Sequence, residues 1–145
     1  MVELRKGEKP KFLKPEDLGE RPWGKEELLV LVPNKYMLKK LTIKKGSKGG
    51  FQYHRLKDEC GVLISGRLLV RFDNGSGGVD ERVIHPGESF HFPPGVPHQE
   101  EALDDCIIIE GSTNHFNDRV RVDEMYGLGA PEGMPTTQLS DIVVK

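Results

Sequence analysis

Turn-forming residues are spread so densely through this chain that long helices have little room: 17 glycines and 10 prolines punctuate its 145 residues. Between them lie short runs rich in isoleucine, valine, leucine and phenylalanine. These are YMLKKLTI (36–43), CGVLISGRLLVRF (60–72), ERVIHPG (81–87), SFHF (89–92) and CIIIEG (106–111). Runs of this composition bounded by turn signals predict β-strands. DNGSGG (73–78) predicts a hairpin tip, and PPGVPH (93–98) a tight turn that cannot continue a central strand. Helical periodicity is weak; the best candidates are a single turn near 14–20 and another near 118–127. Many short strands in one small chain without repeats predict an antiparallel barrel or double-sheet jelly roll. The expected division is an N-terminal arm (1–19), a barrel (20–128) and a C-terminal tail (129–145) whose IVV could add a strand to a partner's sheet.

Charge excludes some functions. Hydrophobic residues make up 36% and charged residues 30%, with a net charge of −2 and both signs interspersed. Such a surface offers no electrostatic footprint for nucleic acid or membrane. No apolar run approaches the roughly 20 residues needed to span a bilayer. The charged amino terminus lacks an apolar signal core, so a cytoplasmic protein is expected. Cys60 and Cys106 then read as free thiols in a reducing compartment. Strand edges and the apolar tail point to a homodimer.

The residues with chemistry are grouped. Residues 46–66 read G-x5-Q-x-H-x4-E-x6-G, and residues 87–98 read G-x5-P-x-G-x2-H. Gln52 and His54, two apart on a strand, share a face. Glu59 enters on the following strand, and the Pro93-Pro94-Gly95 turn brings His98 across. An amide oxygen, two imidazoles and a carboxylate converging inside a barrel make a metal site. Zinc is the leading choice, and manganese, iron, cobalt or nickel would also bind.

Both segments resemble the paired motifs of the cupin superfamily, which implies an all-β, single-domain cupin: a double-stranded β-helix or jelly-roll barrel with N- and C-terminal arms. The family pattern usually has histidine where Gln52 stands. ERPWGKEELL (20–29), KKLTIKKG (39–46), Gln52-Tyr53-His54, GESFHFPPGVPH (87–98) and DRVRVDEMYG (118–127) further resemble the isomerase domain of type II mannose-6-phosphate isomerases. That resemblance implies aldose–ketose interconversion of a sugar or sugar phosphate, with the metal on the substrate oxygens while a proton moves between the first two carbons. His91, Glu110 and Lys40 are the candidate bases; of Lys39 and Lys40, one should face inward. Arg121, Lys39, Lys48 and Arg21 are the candidate cations for the substrate, with a salt bridge to Asp118 or Asp123 the alternative for Arg121. The family has arginine where Lys57 stands, histidines at Arg55-Leu56, and arginines at Met125 and Leu128. Rival readings are an iron oxygenase, a proton-transfer enzyme acting on a keto acid or uronate, and a carbohydrate or small-molecule binder without turnover. Trp23 is expected to be a packing anchor at the barrel entrance.

Overall fold

Side-chain alternation along the apolar runs builds two facing sheets. The structure, a computed structural model, describes residues 1–116 and 118–128. Eleven strands follow in order: β1 (Glu16–Arg21), β2 (Gly24–Val32), β3 (Tyr36–Ile43), β4 (Gln52–His54), β5 (Glu59–Ser65), β6 (Leu68–Asp73), β7 (Val79–Ile84), β8 (Ser89–Phe92), β9 (His98–Ala102), β10 (Cys106–Thr113) and β11 (Arg119–Arg121). A 3-10 helix, Asp123–Tyr126, follows. The six-stranded sheet has the order β1-β2-β3-β10-β5-β8 and the five-stranded sheet β11-β4-β9-β6-β7. From β4 onward the chain crosses repeatedly between the sheets, and the strand pairs are antiparallel. This is a jelly-roll barrel, the all-β architecture that the run pattern predicts.

The core lies between the sheets. Leu63, Leu68 and Ile108 are fully buried there, with Ile43, Val70, Ile84, Phe92, Ala102 and Cys106 around them. Trp23 packs against this cluster, as an entrance anchor should. Gly61 is needed on β5, because a Cβ there would lie 2.4 Å from the Phe90 ring. With no side chain in the way, Phe90 crosses the strand and lines the interior.

The run boundaries at 36–43 and 89–92 coincide with β3 and β8, and DNGSGG turns β6 into β7. The helical turn expected near 14–20 is instead β1, paired with β2 from Glu16↔Leu28 to Arg21↔Gly24. Gly19, at φ 99°, is poorly suited to a helix, and the edge of β2 supplies ladder partners a lone helical turn would lack. Residues 16–19 of the expected arm therefore belong to the sheet. The turn expected near 118–127 divides into β11 and the 3-10 helix, which is pinned by Tyr126 packing on Phe51 (4.5 Å between centroids) and donating to Asp73. The tail and its IVV lie outside the described residues. Both cysteines are free, Cys60 exposed and Cys106 buried. Among the described residues no helix is long and apolar enough to cross a membrane.

Candidate metal centre

Strands β4 and β9 run side by side, with Gln52 opposite His98. Directly paired residues of an antiparallel ladder share a face, so Gln52, His54 and His98 all lie on the inner side. Glu59, the first residue of β5, meets them from the other sheet. Its Oε1 lies 3.2 Å from His98 Nε2 and 3.5 Å from His54 Nε2. One ligand atom from each of His54, Glu59 and His98 falls within 4.8 Å of the others, so the three could hold a metal ion.

The far side of each imidazole is fixed. His98 Nδ1 donates to the carbonyl of Val96 (3.0 Å), and its ring stacks on Phe92 at 3.8 Å. That carbonyl belongs to the proline turn, which is itself held by the Gly95 N–H donating to the carbonyl of His54 (2.7 Å). His54 Nδ1 donates to Asp118 Oδ1 at 2.9 Å, and Asp118 Oδ2 accepts from the amides of Leu56 and Lys57. With both Nδ1 atoms committed, each Nε2 faces a carboxylate oxygen, a position that requires either protons or a cation between them. The residues therefore fit a divalent metal.

Burial opposes ionisation of Asp118, but the two amides and His54 outweigh it and hold its carboxyl below the usual range. Asp118 thus remains an acceptor that orients His54 Nε2 toward the centre. Replacing Asp118 with asparagine is expected to weaken metal affinity by about 10- to 100-fold, measured by chelator competition.

Charged side chains continue from the triad across the inner face. Lys57 Nζ is 3.3 Å from Glu59 Oε2 and 3.7 Å from Glu110 Oε1, with 12% of its side chain exposed. Glu59 therefore divides its oxygens, Oε1 toward the imidazoles and Oε2 toward Lys57. Burial would raise the Glu59 pKa, but hydrogen bonding with His54 and His98 and the Lys57 charge hold it well below the usual range. Burial works against the Lys57 charge; Glu110 and Glu59 overcome it and raise its pKa. Glu110 is raised by burial and then by Glu59, with Lys57 and Lys39 pulling the other way. Lys39, directly across the ladder from Glu110, is 2.6 Å from Glu26.

Glu100 alternates with His98 along β9 and so faces inward. Burial, reinforced by Glu110 and Glu59, pushes its pKa up to about 7. In metal-free protein the unfolded chain ionises Glu100 near pH 4.5 while the folded chain resists until about pH 7. The contribution of Glu100 is therefore most favourable below pH 4.5 and is lost as pH rises to 7. Glu100→Gln is expected to match the parent near pH 4 and to exceed it by about 2–3 kcal/mol at pH 8, measured by denaturant unfolding without metal.

Strand parity and local ion pairs separate the remaining expected site residues. His91 pairs with Cys60 on the outer face of β5 and β8, exposed, its Nε2 2.7 Å from Asp58. Of the two adjacent lysines Lys39 is the inward one, so Lys40, next along β3, points outward. Lys48 is exposed and bridges to Glu101, one residue out of phase with inward Glu100. Arg21 is exposed at the rim, 3.7 Å from the same Glu26 carboxylate that Lys39 engages. Arg121 is opposite Gln52 on β11 and forms an ion pair with Asp123 at 3.3 Å. Glu110, alone of the three candidate bases, faces the triad. Lys57, Asp118 and Glu100 are not among the site residues the sequence points to; the two-residue spacings of Glu100 from His98 and of Lys57 from Glu59 are available signals, whereas Glu110 beside Lys57 and His54 beside Asp118 are distant in sequence.

A two-sheet jelly roll with a histidine-carboxylate-histidine cluster between its sheets defines a cupin. The cupin-domain family model matches residues 39–110, and the chain belongs to the cupin superfamily. More particularly, 112 residues are 30% identical to the mannose-1-phosphate guanylyltransferase of Escherichia coli K12, covering 74% of this chain and 22% of that protein. The chain thus spans about a fifth of the length of the curated relatives it matches. Among solved structures, the capsular polysaccharide assembling protein CapF of Staphylococcus aureus superposes with a TM-score of 0.65 at 18% identity, over 77% of this chain and 32% of that one. KdgF from Halomonas sp. superposes with a TM-score of 0.59 at 21% identity, over 78% of this chain and 91% of that one. The two structural likenesses bear on the fold. The sequence relatives make this a cupin domain related to sugar-metabolising enzymes.

Proposed function

We propose that the chain is a metal-dependent isomerase interconverting aldose and ketose forms of a sugar phosphate, the reaction of mannose-6-phosphate isomerase. The observation that carries this reading is the covered Lys57–Glu110 pair set directly against Glu59 of the triad. Aldose–ketose interconversion removes a proton from one carbon and returns it to the next, so it needs a base beside polarised oxygens. Glu110 is that base: burial raises its pKa, which makes its carboxylate a stronger proton acceptor than a solvated one. Lys57 holds Glu110 and Glu59 in fixed relation and places a positive charge where negative charge develops on the substrate oxygens. Phe90 and Phe92, packed at 4.8 Å, form an apolar wall beside His98 that restricts water.

His54, Glu59 and His98, with the amide oxygen of Gln52, would hold the divalent metal, zinc first among those the donor set suits. When bound, it supplies Lewis acidity toward the carbonyl and neighbouring hydroxyl. The test is metal analysis of the purified protein, followed by solvent-deuterium exchange across a panel of sugar phosphates. Label entering the first or second carbon supports the isomerase. Bound metal with no exchange for any panel member overturns it.

A further inference from the structure

All four cations expected to grip an anionic substrate are placed or engaged otherwise; Arg121 is ion-paired with Asp123 at 3.3 Å, with 2% of its side chain exposed. Arg21 and Lys39 share the carboxylate of Glu26, and exposed Lys48 sits out of phase beside Glu101. Strand β11, by contrast, lies against β4 at the edge of the five-stranded sheet, and its register is Arg119↔His54 and Arg121↔Gln52. Both arginines therefore stand on the ligand-bearing face, each directly across the ladder from a residue of the metal centre. The chain makes room for this. A Cβ on Gly50 would fall 2.0–2.1 Å from the guanidinium atoms of Arg121, so only glycine lets that side chain lie across the neighbouring backbone.

We infer that Arg119 is the subsite for the phosphomonoester of the substrate, at the β11 edge beside His54. The substrate class, though not the presence of an anion subsite, rests on the isomerase reading. The site then has two ends. The phosphate occupies the arginine edge, while the reacting carbons reach across the triad toward Lys57 and Glu110 on the opposite sheet. Both arginines have other interactions in the fold. A guanidinium carries five N–H donors in a planar fork, so contacts within the protein and to a phosphate can coexist. Burial, and then the neighbouring Arg121, lower the Arg119 pKa, and an anion at this edge would offset both effects. Arg119 is absent from the cations the sequence singled out, because only the pairing of β11 with β4 brings it to the centre.

The experiment is calorimetric titration of the full chain, metal-loaded, with mannose 6-phosphate, inorganic phosphate and mannose, for the parent, Arg119→Ala and Arg119→Lys. Both phosphates are expected to bind the parent. Arg119→Ala should weaken both roughly 10- to 100-fold, and Arg119→Lys less so, since lysine keeps charge but loses the fork. Binding of mannose and metal content should be unchanged in both variants. Should the alanine variant fail to fold, Arg119→Lys decides alone. Absence of phosphate binding by the parent, or equal affinity in the variants, overturns the inference. Phosphate binding that depends on Arg119 without deuterium exchange leaves the subsite standing and removes the isomerase.

Discussion

Glu59→Gln is expected to leave a folded barrel that no longer retains metal. Glu59 Oε1 is the point on which both imidazoles converge, and it is the only carboxylate of the triad. Glutamine keeps the shape but removes the charge that compensates a divalent cation. It also offers an amide N–H₂ that can turn toward the imidazoles and donate to the lone pairs meant for the metal. Asp118→Asn removes no metal ligand and acts through the orientation of His54, which should cost about 10- to 100-fold in affinity, so loss of the central carboxylate should cost at least about 100-fold. Metal analysis after dialysis is expected to find stoichiometric metal in the parent and a small residue in the variant. Deuterium exchange should vanish in parallel. Full occupancy of Glu59→Gln would mean that the cluster at this position is not the metal centre.

How much of this was legible in the sequence depended on the range of the interactions involved. Strands β3 and β8 are bounded by turn-forming residues and were readable to the residue. β1 was not, because EDLGER becomes a strand only through pairing with β2. In the site, Gln52, His54 and Glu59 announce themselves by their spacing across β4 and the start of β5, and His98 by the proline turn that precedes β9, three strands further on. Which neighbour of an adjacent pair faces inward was less accessible. YMLKKLTI is apolar on both sides of its lysines, so its composition cannot separate Lys39 from Lys40; the half-buried partner Glu26 does. His91 and Glu110 looked alike as polar residues on apolar strands, yet the register of β8 on β5 turns the first outward, and that of β10 turns the second toward Lys57. The His54–Asp118 bond joins residues 64 apart, beyond any local pattern.

That register also fixes the second large effect, expected for Glu110→Gln. Glutamine fills the same covered position between Lys57 and Lys39 but cannot accept a proton from carbon. General-base catalysis contributes about 10²–10⁴-fold, so deuterium exchange into the sugar phosphate should fall by that factor. Metal content should be unchanged, because the ion pair of Glu110 is with Lys57 and not with a residue of the triad. The pH profile supplies a readout that a merely structural role would not move. The base must be ionised to act, and burial raises the Glu110 pKa. The exchange rate of the parent should therefore decline as pH falls through a value above the usual carboxylate range. The residual rate of Glu110→Gln should lack that acid limb. If the variant keeps more than about a tenth of the parental rate, or the same acid limb, proton transfer belongs to another group. Glu100, also inward-facing and titrating near pH 7, would be the next to replace. Failure of Glu110→Gln with metal retained and failure of Glu59→Gln with metal lost would together separate the group that moves the proton from the groups that hold the ion.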